Sequence, residues 1–229
     1  MSLLALPAEL RLRIYEYIPE LLPNAHHNLL PTQITPPISR TCTIFRRETL
    51  PLYATDSIFA ICIDDSPEPW KRRIDSWISA LGPEISRIRS LQISRHWNML
   101  QPQRWQGRVG FYIRIDHLNR ECRPSKRDGH NVVLEDGGLK VTTGTYPVVR
   151  DTRNMRSASI ELLARVFRER LATSSSDRPG LTGDDVRFLV RAVEIVVSYK
   201  IPHSIDVESD RERSQEILQD MENTLRVLA

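Results

Sequence analysis

No apolar run in the sequence approaches the ~20 residues needed to cross a bilayer. Leu3-Leu4-Ala5-Leu6 is too short for the core of a signal peptide, has no basic residues before it, and meets Glu9 and Arg11 at once. The expectation is therefore an intracellular protein, of the cytoplasm or the nucleus. Three cysteines, Cys42, Cys62 and Cys122, are odd in number and widely spaced, which fits a reducing compartment and no disulfide framework. Catalytic signatures are missing too. There is no Gly-x-Ser-x-Gly elbow, no cysteine in a catalytic motif and no phosphate-binding glycine loop, since Gly82 and Gly107 stand alone. His26-His27 has no Cys or acidic residue at zinc-type spacing, so it reads as part of a solvated loop. Asp64-Asp65, after an apolar run, reads as a turn leading into a helix rather than a Mg²⁺ site. Asp116 and His117 are neighbours on a strand and face opposite sides, so they cannot form an orienting pair. We expect no enzyme, no metal and no cofactor.

What is present describes an ordinary globular chain. Of the 229 residues, 40% are hydrophobic and 27% charged, enough for one sizeable core. The net charge of +3 hides an asymmetry. Between Lys71 and Arg127 stand thirteen Lys and Arg and only a few acids, whereas Glu194 to the end holds eight acids against four bases.

The first helical pattern is Leu6-Pro7-Ala8-Glu9-Leu10-Arg11-Leu12-Arg13-Ile14-Tyr15-Glu16-Tyr17-Ile18. Pro7 suits the first helical position, Glu9 complements the helix dipole, and Pro19 stops the helix near Ile18. Leu10, Ile14, Tyr17, Ile18 and Leu21 have the spacing of a buried stripe, and Leu12 and Tyr15 add a second apolar side. Such a helix packs against two neighbours, its own domain and a partner. A proline-rich linker from Pro19 to Pro37 follows, then a helix from Ile38 or Ser39 to Leu50, broken by Pro51.

Leu-Pro-x-Glu-Leu-Arg-x-x-Ile-Tyr-Glu near the start, followed by Arg40-Thr41-Cys42-Thr43-Ile44-Phe45-Arg46-Arg47-Glu48-Thr49-Leu50-Pro51-Leu52-Tyr53, resembles the F-box-like opening of a divergent group of fungal proteins. The resemblance covers about the first 95 residues. It implies protein–protein interaction, as a substrate receptor joined to a cullin–RING ubiquitin ligase through the F-box-binding adaptor. Leu6, Pro7, Leu10, Ile14 and Tyr15 match the motif and would contact that adaptor. The linker between the two blocks is longer than an F-box usually has, and the aromatic-rich closing pattern is absent.

The rest of the chain predicts an α+β fold. Ile58 to Ile63 reads as a strand buried on both faces. A helical stripe follows (Trp70, Ile74, Trp77, Ile78, Leu81), stopped by Gly82-Pro83, and Ile88 to Ile93 gives a second strand. Together they make a βαβ unit with parallel strands. Val109 to Asp116 alternates as a half-buried strand, and Val132 to Val141 forms a hairpin turning at Asp136-Gly137-Gly138, extending the same sheet. A basic loop at 120–130 separates them. The last third is helical. Thr173 to Gly180 is a break, Thr182-Gly183-Asp184-Asp185 a capping box with Asp in place of Glu, and Ser209 starts a final amphipathic helix. This divides the chain into a helical module, 1–55, and an α+β domain with a helical C-terminal part, 56–229.

Two alternatives to the ligase reading stay open: an interaction domain with no ligase link, and a nucleic-acid-binding module using the basic region. For the latter, Arg95, Trp97, Arg104, Trp105 and Arg108 interleave cations with aromatics, as single-strand binders do. No zinc-finger, homeodomain or RNA-recognition signature accompanies them.

Overall fold

The structure, a computed structural model, describes residues 2–23, 25–28, 35–63, 67–100, 106–117, 132–136, 139–146, 153–174, 180–198 and 208–229. It is an α+β fold built on a six-stranded sheet in the order β1-β2-β3-β4-β6-β5. The strands are β1 (His26–Asn28), β2 (Ile58–Ile63), β3 (Ser90–Leu100), β4 (Gln106–His117), β5 (Val132–Asp136) and β6 (Leu139–Tyr146). β1, β2 and β3 run parallel to one another, and β4, β6 and β5 continue the sheet antiparallel. The helices are α1 (Ala8–Tyr15), α2 (Thr43–Asp56), α3 (Pro67–Leu81), α4 (Arg153–Ser174), α5 (Gly183–Ser198) and α6 (Glu208–Leu228).

The βαβ unit is β2-α3-β3, with Ile58 opposite Ser90 and Ile61 opposite Ile93. The hairpin is β5-β6, closing with Asp136 opposite Leu139. Their alternation decides which face of the sheet is covered. Phe59, Ile61, Ile63, Leu91, Ile93, Ile113 and Ile115 are buried on one side, while Cys62 is exposed and Ala60, Gln92, Arg114 and Asp116 are half-buried on the other. The reading of β2 as buried on both faces is thus corrected. Among the described residues α2 and α3 cover the Phe59 side, where the Phe59 ring lies 5.0 Å from Tyr53 of α2 and 5.1 Å from Trp77 of α3. The opposite side is polar. There Asp116 accepts from the Ser90 hydroxyl at 2.6 Å and from Arg114 Nε at 2.9 Å, so its carboxylate is engaged in the sheet itself.

Three further expectations are corrected. His26-His27 does not sit in a loop. It forms the edge strand β1, with His27 opposite Phe59 and its ring 4.8 Å from Tyr53. The second helix starts later and ends later than its pattern suggests. Pro37–Arg40 is a separate 3₁₀ turn, and α2 runs from Thr43 through Pro51 to Asp56. Pro51 removes one helical hydrogen bond, yet Leu50, Tyr53 and Ala54 are buried around it and hold the last turn in place. The first helix is also shorter. Pro7 is its N-cap rather than its first residue, and it ends at Tyr15, before a 3₁₀ turn at Pro19–Leu21.

The C-terminal helices complete the covered layer. α5 packs on β3 and β4, and α4, α5 and α6 pack on one another. Leu163 and Phe167 of α4, Leu189 and Val193 of α5, and Met221 and Leu225 of α6 are buried together. The capping box forms as expected. Thr182 Oγ1 accepts from the Asp185 N–H at 3.2 Å, and the Asp185 carboxylate accepts from the Thr182 N–H at 2.9 Å. α6 lies along the domain, tied by Arg165 to Glu222 and by Arg226 to Glu169, each at 2.8 Å. The division after residue 55 falls at the junction of α2 and β2. Tyr15, Leu21, Leu50 and Tyr53, from before it, belong to the same hydrophobic core as Phe59 and Trp77. Among the described residues no helix is long and apolar enough to cross a membrane.

Candidate partner-binding surface

Two pairs on α1 share the i, i+4 spacing that puts side chains on one face: Arg11 with Tyr15, and Leu10 with Ile14. Hydropathy favours burying the second pair. The structure buries the first. Tyr15 is 1% exposed, its ring edge-on to Phe45 at 6.3 Å, and its hydroxyl donates to Glu48 Oε2 at 2.6 Å. Arg11 grips the same carboxylate twice, Nε to Oε2 at 3.0 Å and Nη2 to Oε1 at 2.5 Å, and Nη1 donates to the Leu6 carbonyl at 2.5 Å.

The electrostatics follow from that geometry. The Arg11 hydrogen bond, with a second from Tyr15, holds the Glu48 carboxyl down at about 2. Burial, then the neighbouring Glu48, pushes the Tyr15 phenol up to about 12. Glu48 in turn raises the Arg11 guanidinium above its ordinary value. At neutral pH the cluster is a fixed ion pair with a phenolic donor, and it clamps α1 to α2.

With Arg11 and Tyr15 turned inward, the apolar residues of α1 face out. Leu10 is 51% exposed, Ile14 39% and Tyr17 83%. The predicted buried stripe is therefore corrected: only its lower end is inside, with Leu21 buried and Ile18 half-buried. Burying Leu10 and Ile14 instead would strand Glu48 without its guanidinium, and an unpaired buried carboxylate costs more than two partly exposed aliphatic chains gain. Seven of the eight exposed large hydrophobic side chains among the described residues lie between Leu4 and Ile44, so apolar exposure is concentrated in the N-terminal part of the chain. The sequence signal missed was Glu48, the sole acid among the arginines of early α2.

Each residue singled out from the sequence can now be placed. Pro7, Leu10 and Ile14 are exposed, and Leu6 is half-buried. Tyr15 cannot be a partner contact in this fold, because it is enclosed between α1 and α2. Arg95 is half-buried and stands in register with Ile63 and Phe111, in line with Leu91 and Ile93 on the covered side of the sheet. Trp97 and Arg108 lie on β3 and β4, Trp97 opposite Val109 and Arg108 opposite Asn98. Arg104 and Trp105 lie outside the described residues, as do Asp64, Asp65 and the 120–130 loop.

No known family model, curated protein or solved structure matches the chain. Among the described residues no group of three His, Cys, Asp or Glu side chains is placed to hold a metal ion.

Proposed function

We propose that this is a non-catalytic protein-recognition protein whose partner surface is the outward face of α1, and that it acts as an F-box-like substrate receptor docking the F-box-binding adaptor of a cullin–RING ubiquitin ligase. One observation carries the reading: Leu10 and Ile14, which match the motif, point away from the core that Tyr15 enters. A soluble domain gains nothing in its own fold from two aliphatic side chains on a wet face, and contiguous exposed apolar residues mark interaction sites. Tyr17, 83% exposed just beyond the end of α1, adds an aromatic ring three residues after Ile14, and Arg13 supplies charge beside it. On this reading the protein works inside the cell, in the cytoplasm or the nucleus. Target selection falls to the α+β part.

The test is co-purification of the full chain with the adaptor, wild type against Leu10→Asp/Ile14→Asp. A complex with the wild type, lost in a variant that melts at the wild-type temperature, supports the reading. Absence of a complex with a folded wild-type chain overturns the ligase link.

A further inference from the structure

We propose a second binding site, a cationic cleft between α2 and the 3₁₀ turn Gly82–Arg87, that takes an acidic, leucine-bearing peptide segment of another protein. The cleft holds about 370 Å³, within the range of roughly 300–1,000 Å³ found for ligand sites. Arg46 and Arg47 bring two guanidiniums to its rim, Pro51 and Pro83 supply apolar wall, and the buried Leu50 and Leu81 lie at its floor.

Charge decides the ligand class. Glu84 is the one acid among the lining residues, and Arg87 Nε holds it at 2.8 Å. Arg46 is oriented by donating Nη2 to the Ala80 carbonyl at 2.5 Å, which caps the end of α3 and fixes the guanidinium over the cleft. Arg47 is exposed and forms no hydrogen bond or ion pair among the described residues. Glu48 beside it is already engaged by Arg11 and Tyr15. With Glu84 held by Arg87 and Glu48 held by Arg11, the cleft carries net positive charge, the arrangement that recognises carboxylates by charge-assisted hydrogen bonds. The apolar wall separates a peptide from a bare anion. Phosphate would use the guanidiniums alone, whereas a peptide carrying both acids and leucines uses the whole lining.

The site is independent of the α1 surface. Glu48 marks the side of α2 that meets α1, and Thr43, Arg46, Arg47 and Leu50 mark the side that meets the cleft.

The experiment titrates fluorescently labelled peptides into the full-length chain. One probe alternates glutamate with leucine, a second replaces glutamate with glutamine, a third replaces leucine with serine, and inorganic phosphate serves as competitor. The expected result is that the first probe binds, that both replacements weaken it about tenfold or more, and that Arg47→Glu does the same in a chain that still unfolds cooperatively. High salt should weaken it as well. Leu10→Asp/Ile14→Asp should leave peptide binding intact, which keeps this site distinct from the adaptor surface. No binding of the first probe, equal binding of the glutamine probe, or binding indifferent to Arg47→Glu would each overturn the proposal. So would competition by phosphate with no preference for leucine, which would mean a simple anion site.

Discussion

Arg11 and Glu48 meet across 37 residues of chain through two parallel donors, Nε at 3.0 Å and Nη2 at 2.5 Å from the carboxylate oxygens. This fork fixes how α1 lies on α2. It also fixes which side of α1 is offered to solvent.

The clamp should be acid-sensitive. Glu48 ionises at about 2 in the folded chain against an ordinary value of 4.5, so its contribution is complete above that ordinary value. The contribution is lost as pH falls from about 4.5 toward about 2. Glu48→Gln should lower stability at neutral pH by about 2 kcal/mol and flatten this part of the melting-temperature profile. Melting temperatures of both proteins between neutral and acid pH provide the check. An identical acid slope in the variant would show that other carboxylates carry it.

Leucine and tyrosine on the same short helix should behave in opposite ways. Leu10→Ala, at an exposed position, should change stability by no more than about 0.5 kcal/mol. Tyr15→Ala empties a buried site and removes a hydrogen bond, and should cost about 3–5 kcal/mol. Urea unfolding of the two variants compares them directly. A large loss from Leu10→Ala would mean that α1 turns its other face inward.

Gly180 and Gly82 both have positive φ, at +121° and +56°, but they differ in surroundings. A Cβ on Gly180 would lie 2.1 Å from the Ser86 carbonyl oxygen, whereas one on Gly82 would meet nothing within 4 Å. Gly82→Ala should cost about 1–2 kcal/mol for its left-handed backbone alone. Gly180→Ala must in addition push apart the segment before α5 and the turn after α3, and should be clearly the more damaging in thermal melts.

Asp185 has two duties at the start of α5. One carboxylate oxygen closes the capping box with Thr182, and the other accepts from Arg170 Nε at 3.0 Å. Asp185→Ala should cost about 3 kcal/mol, since it leaves Arg170 without its carboxylate as well as the helix without its box. Thr182→Ala removes only the cap and should cost about 1 kcal/mol. Equal losses from the two variants would show that the Arg170 contact adds nothing.

Much of this architecture is written in local pattern. The β-branched run at Ile58–Ile63 marks β2 by composition though not its one-sided burial. The helical stripe through Trp77 and the alternation from Val109 carry the periods of α3 and β4. β3 is legible only as far as Ile93, whereas the strand runs on to Leu100 beside β4. Asp136-Gly137-Gly138 specifies a hairpin, and Thr182 with Asp185 specifies a cap, because turns and caps depend on residues a few positions apart. Other features depend on partners distant in the chain. His26–Asn28 has no strand pattern of its own and becomes β1 only because β2 offers it a free edge. α2 passes through Pro51 because burial of Leu50 and Tyr53 outweighs one missing hydrogen bond. The outward face of α1 was undecidable locally, since Leu10/Ile14 and Arg11/Tyr15 have the same spacing. Glu48, from another helix, supplied the charge that drew the guanidinium in and left the leucine out.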